Sequence, residues 1–169
     1  MSFHLYIMRH AKSDWGSPGT SDFDRPINKR GNKSAILIGQ WMNANDRIPE
    51  KIISSPALRA KQTIGLVVEQ IEMKKDDDIS YEEDLYLASM DTLFENIHLY
   101  KNNVNSLMLV AHNPGLEEVI HFLTRDSQYR SMTTANLAIY RFENNLFDIE
   151  SDKPELIEFI KPKELAESG

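Results

Sequence analysis

Short apolar runs and longer amphipathic stretches alternate along the chain. Phe3–Met8 is β-rich and almost continuously apolar, the mark of a buried strand. A polar loop follows over Arg9–Pro26, with Gly16, Pro18, Gly19 and several Asp and Ser residues. Asn28 then offers an N-cap, and Ala35, Ile38, Trp41 and Met42 recur at helical spacing to about Asn43. Lys51–Ser54 reads as a second strand. Ser55-Pro56 predicts a helix start, a capping hydroxyl before a proline at the first helical position, and Leu58, Ile64, Leu66, Val67 and Ile71 carry that helix to about Glu72.

Further on, Lys74–Asp78 reads as a solvated loop and Ile79–Tyr81 as a brief strand. Ser89 caps a predicted helix with Leu93, Phe94, Ile97 and Tyr100 on its core face. Ser106–Ala111 has the pattern of a central buried strand. The chain turns at His112-Asn113-Pro114-Gly115, and Leu116, Val119, Ile120 and Leu123 mark another helix. Two late strands are expected over Ala135–Phe142 and Leu156–Ile160, around a turn at Asn144-Asn145. Strands alternating with helices imply parallel pairing through crossovers, hence an α/β fold: a three-layer sandwich, mostly parallel sheet inside, helices on both faces.

No repeat, low-complexity run or Pro/Gly/Ser linker divides the 169 residues, so a single domain spanning 1–169 is expected. Hydrophobic residues at 41% and charged residues at 27% fit an ordinary globular chain. No stretch approaches the ~20 apolar residues of a membrane span, and the first ten residues lack the pattern of a signal peptide. The expectation is a cytoplasmic protein without a membrane partner. The absence of cysteine excludes disulfides, thiolate catalysis and cysteine-ligated metals. A net charge of −7 argues against a nucleic-acid partner. It also means that an anion site here must gather its positive charge in one place.

Open α/β sheets place ligands beyond the carboxyl ends of their strands. Three apolar strands end in polar or charged groups: Arg9-His10, Ser54-Ser55-Pro56 with Arg59 just beyond, and His112-Asn113-Pro114-Gly115. Parallel strands would bring two arginines and two histidines to one sheet edge, an arrangement that calls for an anion. Phosphate suits it, because guanidinium forks match phosphate oxygens and the first turn of a helix adds free N–H groups around Arg59. A neutral imidazole, with an ordinary pKa of about 6.5, is a competent nucleophile toward phosphorus. A second imidazole, protonated in the complex, can stabilise the transition-state oxygens. The two guanidiniums supply the charge a divalent metal would otherwise bring, so neither metal nor cofactor is expected.

Each feature has a plainer reading when taken alone. Arg9-His10 could be a polar strand end, His112–Gly115 a turn, Arg59 a solvated helix residue. Glu117 and His121 stand four apart on one helix, a conceivable metal pair without a third ligand. Trp15 and Phe23 could wall a pocket, with ordinary packing favoured. Arg25 could reach the phosphate or pair with Asp22 or Asp24.

Leu5-Tyr6-Ile7-Met8-Arg9-His10-Ala11, Ser54–Thr63 and Val110-Ala111-His112-Asn113-Pro114-Gly115 together resemble the three motifs of the histidine phosphatase superfamily, in order and spacing. Arg9–Ser13, and Asp22-Phe23-Asp24-Arg25-Pro26 before Asn28-Lys29-Arg30-Gly31, resemble its compact SixA-type phosphohistidine phosphatases. The resemblance implies a phosphoglycerate mutase-like sandwich without a large cap insertion. It also implies that His10 accepts the phosphoryl group while Arg9, Arg59 and His112 bind it. Ala11 departs from the usual glycine. Superfamily members that cleave alkyl phosphates use a carboxylic acid over the site; Glu83 lies where such a donor could be, and Asp14 competes with it. An open site and an absent donor fit a P–N bond, whose imidazole leaves readily, better than an alkyl ester. A phosphorylated protein is then the implied partner, a small phosphate ester the alternative substrate, and a non-catalytic phosphate-binding module the remaining alternative.

Overall fold

In the computed structural model, which describes residues 1–73, 78–125 and 130–168, six strands form one sheet between two layers of helices. The strands are β1 (Phe3–Arg9), β2 (Lys51–Ser54), β3 (Ile79–Tyr81), β4 (Ser106–Ala111), β5 (Leu137–Phe142) and β6 (Glu155–Ile160). The helices are α1 (Lys29–Ala44), α2 (Leu58–Ile71), α3 (Met90–Tyr100), α4 (Gly115–Thr124) and α5 (Pro162–Ser168). The near-continuous apolar runs of β1 and β4 have a simple cause, since both faces of each strand are covered. Phe3, Leu5, Ile7, Leu107 and Leu109 pack with Leu93, Phe94 and Ile97 of α3 and Leu116, Val119 and Ile120 of α4. Tyr6, Met8, Met108 and Val110 turn the other way, onto Ala35, Ile38 and Met42 of α1 and Ala60, Ile64 and Val67 of α2.

The strand order is β3-β2-β4-β1-β5-β6. The first four run parallel, and β5 lies antiparallel to both β1 and β6. Parallel pairing therefore stops at β1, and β5 and β6, joined without an intervening helix, pair antiparallel. The consequence for function lies at the other edge. β2, β4 and β1 are neighbours running the same way, so their carboxyl ends open side by side. Register aligns Ser54 with Val110 and Arg9 with Ala111. Backbone bonds extend that alignment past the strand ends, Ser55 N–H to Val110 O at 3.0 Å and His10 N–H to Ala111 O at 3.3 Å.

Asn28 caps α1 as expected, its side chain accepting from the Gly31 N–H at 2.8 Å, and Ser89 caps α3 through the Thr92 N–H at 3.3 Å. The start of α2 differs. The helix begins at Leu58, after an extended Ala57, and Ser55 stands outside it. Its hydroxyl accepts from the Ala57 N–H at 3.2 Å and meets the second histidine instead, so the Ser-Pro signal marks a loop belonging to the site. The strand expected from Ala135 begins at Leu137. Ala135 takes a left-handed backbone (φ 61°) and sends its N–H to Arg9 O and His10 O, ahead of the strand rather than within it. Helix α5, which the polarity pattern does not announce, seats Leu165 against the α1–α2 side of the core. The expected loop at 74–78 falls, for residues 74–77, outside the described residues. Among the described residues no helix is long and apolar enough to cross a membrane.

Candidate active site

The carboxyl ends of β1, β2 and β4 surround a pocket of about 390 Å³ lined by Arg9, His10, Arg25, Arg59, His112 and Asp22, with Lys12, Trp15, Leu87 and Thr134 around them. The four residues singled out at the strand ends thus come together. Arg59, in the first turn of α2, is 2% exposed and occupies the centre. Its Nε lies 3.4 Å from His10 Nε2 and its Nη2 lies 3.3 Å from His112 Nδ1. The two imidazoles face each other with centroids 5.0 Å apart.

Arginine only donates, and that fixes both ring tautomers. His10 Nδ1 lies 2.8 Å from Ala11 O, a contact that requires the proton on Nδ1. Nε2 then carries a lone pair, directed at the guanidinium. His112 accepts from Arg59 at Nδ1, so its proton sits on Nε2 and donates to Ser55 Oγ at 2.7 Å. Burial, reinforced by the neighbouring arginines against the Ala11 bond, lowers His10 to a pKa of about 4. Burial, then the positive charge His10 would carry and Arg59, lowers His112 to about 3. Both rings are neutral at pH 7.

The loop after His10 is held by Thr63 of α2, which accepts from the Ala11 N–H at 2.9 Å and donates to Arg59 O at 2.6 Å. One threonine thereby fixes the loop after His10 to the helix carrying the central arginine. Arg9 is anchored from the other side, Nη1 to Met132 O at 3.1 Å.

Among the described residues Asp22 is the carboxylate of this pocket; the sequence marked it as a partner for Arg25 and as part of the Asp22–Pro26 stretch, without a role at the site. Oδ2 accepts from Arg59 Nη2 at 3.1 Å and from the Tyr86 hydroxyl, while Oδ1 accepts from Arg25 at 3.0 Å. The Tyr86 bond, helped by Arg59 and Arg25, holds its pKa down to about 2. Asp22 is ionised at neutral pH and cannot serve as an acid there. Arg25 pairs with Asp22, one of its two alternatives, and also lines the pocket, its guanidinium 4.5 Å over the Trp15 ring. Trp15 is 81% exposed, so it is pocket wall and not core packing.

Neither expected proton donor reaches the pocket lining. Glu83 is exposed on a short 3₁₀ turn, Glu83–Leu85; just beyond it Leu87 lines the pocket, and Tyr86 packs behind it, edge-on to His112 with centroids 5.5 Å apart. Asp14 is also exposed, accepting from Asn28 Nδ2 at 3.1 Å. The signal for Tyr86 was its position three residues after Glu83; for Asp22 it was the i, i+3 spacing to Arg25. Glu117 spends its carboxylate on Asn113 Nδ2 and the Met132 N–H, and among the described residues no three His, Asp or Glu side chains gather in metal-binding range.

Residues 5–86 match the sequence model of the histidine phosphatase superfamily (branch 1). The chain belongs to that superfamily. A relative of uncharacterised function from Mycobacterium leprae is 32% identical, covering 92% of this chain and all of that one. A candidate phosphohistidine phosphatase SixA from Agrobacterium tumefaciens superimposes with a TM-score of 0.80 at 29% identity, over 95% of this chain and 98% of that one. This places the chain in the SixA-type branch of the superfamily. A phosphoglycerate mutase from Bacillus anthracis shares the fold at 14% identity, TM-score 0.67, over 98% of this chain and 96% of that one. The superfamily's three motifs thus correspond to the three strand ends that meet around Arg59.

Proposed function

We propose that this superfamily member is a metal-independent phosphohistidine phosphatase, a single open domain over residues 1–169, working through a covalent intermediate on His10. The observation that carries the reading is the Nε2 lone pair of His10 beside the buried Arg59, on a ring kept neutral by burial and oriented by the Ala11 carbonyl. Nε2 attacks phosphorus, the P–N bond to the substrate imidazole breaks, and that imidazole leaves with a proton from solvent. Water then attacks the phosphoryl group, the bond to His10 Nε2 breaks, and inorganic phosphate departs. Arg9, Arg59 and Arg25 neutralise the phosphoryl oxygens, which is the charge a metal would otherwise bring. His112, neutral when the pocket is empty, takes a proton as the dianion enters and donates it from Nδ1 to a phosphoryl oxygen.

The substrate class rests on the acid–base inventory. An alkoxide leaving group needs a positioned acid worth about 10²–10⁴-fold. The only carboxylate lining the pocket, among the described residues, is Asp22, which stays ionised, and Glu83 and Asp14 lie outside it. An imidazole leaving group does not need that acid. The reading is tested by phosphorylating the protein with phosphoramidate and quenching in base. Wild type is expected to carry a base-stable, acid-labile label that His10→Ala lacks; equal hydrolysis by His10→Ala overturns it. A phosphohistidine peptide should exceed an alkyl phosphate in kcat/KM by about 10²-fold or more, and comparable turnover refutes the substrate class.

A further inference from the structure

Beside the pocket, a second depression of about 570 Å³ runs between α1 and α5, with Arg30, Lys33, Lys161 and Lys163 in its walls and Leu37, Pro162 and Ala166 between them. Thr134 lines both, so the groove opens where the pocket ends. The charge distribution is lopsided. The chain holds 26 acidic and 19 basic residues, yet eight of the basic residues line these two connected depressions and, among the described residues, a single carboxylate does, Asp22. Arg30, Lys33 and Lys163 are exposed, and among the described residues no carboxylate pairs with them. An acidic protein that leaves such a track unneutralised carries a field toward one face.

We infer that this groove docks an acidic, partly apolar segment flanking the phosphorylated histidine of a protein substrate; the inference rests on the phosphohistidine reading and adds the partner's chemistry to it. The cations stand on α1 and at the start of α5, around an apolar floor, instead of converging on one point, which suits an extended acidic chain better than a compact ligand. Docking there leaves the phosphoryl group free to enter the pocket past Thr134. Rim charges of this kind act on encounter and KM, and salt screens them.

The test uses two synthetic phosphohistidine peptides, one flanked by Asp, Glu and Leu, the other by Asn, Gln and Leu. Wild type is expected to show a KM about tenfold lower for the acidic peptide at low salt. That preference should vanish at about 0.5 M NaCl, roughly three times the ionic strength at which the Debye length is about 8 Å. It should also vanish in Lys33→Glu/Lys163→Glu, while phosphoramidate turnover is unchanged in that variant. A Lys33→Arg/Lys163→Arg protein should keep it. Equal KM values for the two peptides in wild type, or a preference that survives charge reversal, overturn the docking site. Binding of the unphosphorylated acidic peptide is measured alongside. Binding that wild type shows and the reversed variant loses upholds the groove even if no phosphohistidine peptide is hydrolysed, in which case the substrate reading alone falls. Stronger competition by inorganic polyphosphate than by the acidic peptide would assign the groove to a small polyanion and overturn the inference.

Discussion

Lowering the pH from 7 to 5 should destabilise the folded protein through its two active-site histidines, and the structure sets the size of the effect. In the unfolded chain each imidazole titrates near 6.5; in the fold burial lowers His10 to about 4 and His112 to about 3. Below pH 6.5 the unfolded state therefore binds protons that the native state refuses. Stability contributed by the neutral rings is complete above 6.5 and declines as the pH falls toward the folded values. Between pH 7 and pH 5 the linkage relation gives a loss of about 2 kcal/mol for each histidine. Asp22 works in the opposite window. Its pKa is depressed to about 2, so its contribution is intact above the ordinary 3.8 and is lost only between there and 2, which leaves the pH 5–7 comparison clean. The assay is urea unfolding at pH 7 and pH 5 for wild type, His10→Asn and His112→Gln. Asparagine at 10 keeps a donor for Ala11 O, and glutamine at 112 keeps one for Ser55 Oγ. Each variant should lose about 2 kcal/mol less than wild type over the interval. His4, also lowered by burial, is common to all three proteins and cancels. Equal pH losses in wild type and both variants would refute the neutral, buried histidine pair. The same titration predicts that kcat/KM keeps its value down to about pH 5 and falls near pH 4, the free-enzyme value of His10.

Ser55→Ala removes the acceptor for the His112 Nε2–H and leaves that donor buried, so urea unfolding should show a stability loss of about 1–3 kcal/mol, and kcat should fall as the ring loses its orientation. Asp22→Asn takes a negative charge off Arg59 and Arg25, so inorganic phosphate should inhibit about three- to tenfold more tightly; weaker inhibition would show that Asp22 is needed to hold the guanidiniums in place. Gly115→Ala would set a Cβ 2.2 Å from Ala88 O, which forces the start of α4 away from the segment carrying Leu87; a stability loss of about 2 kcal/mol is expected by thermal melting. Glu83→Gln should leave turnover of phosphohistidine peptide unchanged, and a large loss of kcat would restore Glu83 as proton donor.

Residues adjacent in sequence announced themselves, and residues joined only across the fold did not. The apolar runs Phe3–Met8 and Ser106–Ala111 determined buried strands, because a strand covered on both faces needs apolar side chains at every position. Asn28 and Ser89 determined helix starts, because a cap is satisfied within three residues. From strands ending in Arg9-His10, Ser54-Ser55 and His112, a meeting of basic groups at one edge could be argued. The neighbour order β2-β4-β1 and the register Ser54–Val110 and Arg9–Ala111 were decided only by tertiary pairing, and they turn that meeting into contacts of 3.3–3.4 Å around Arg59. The proton position on His112, the entry of Asp22, the packing of Tyr86 on His112 and the exclusion of Glu83 and Asp14 from the pocket lining also belong to the folded molecule. Each depends on which atoms lie within hydrogen-bond reach, a matter of ångströms across 37 to 64 residues of chain that no local pattern encodes.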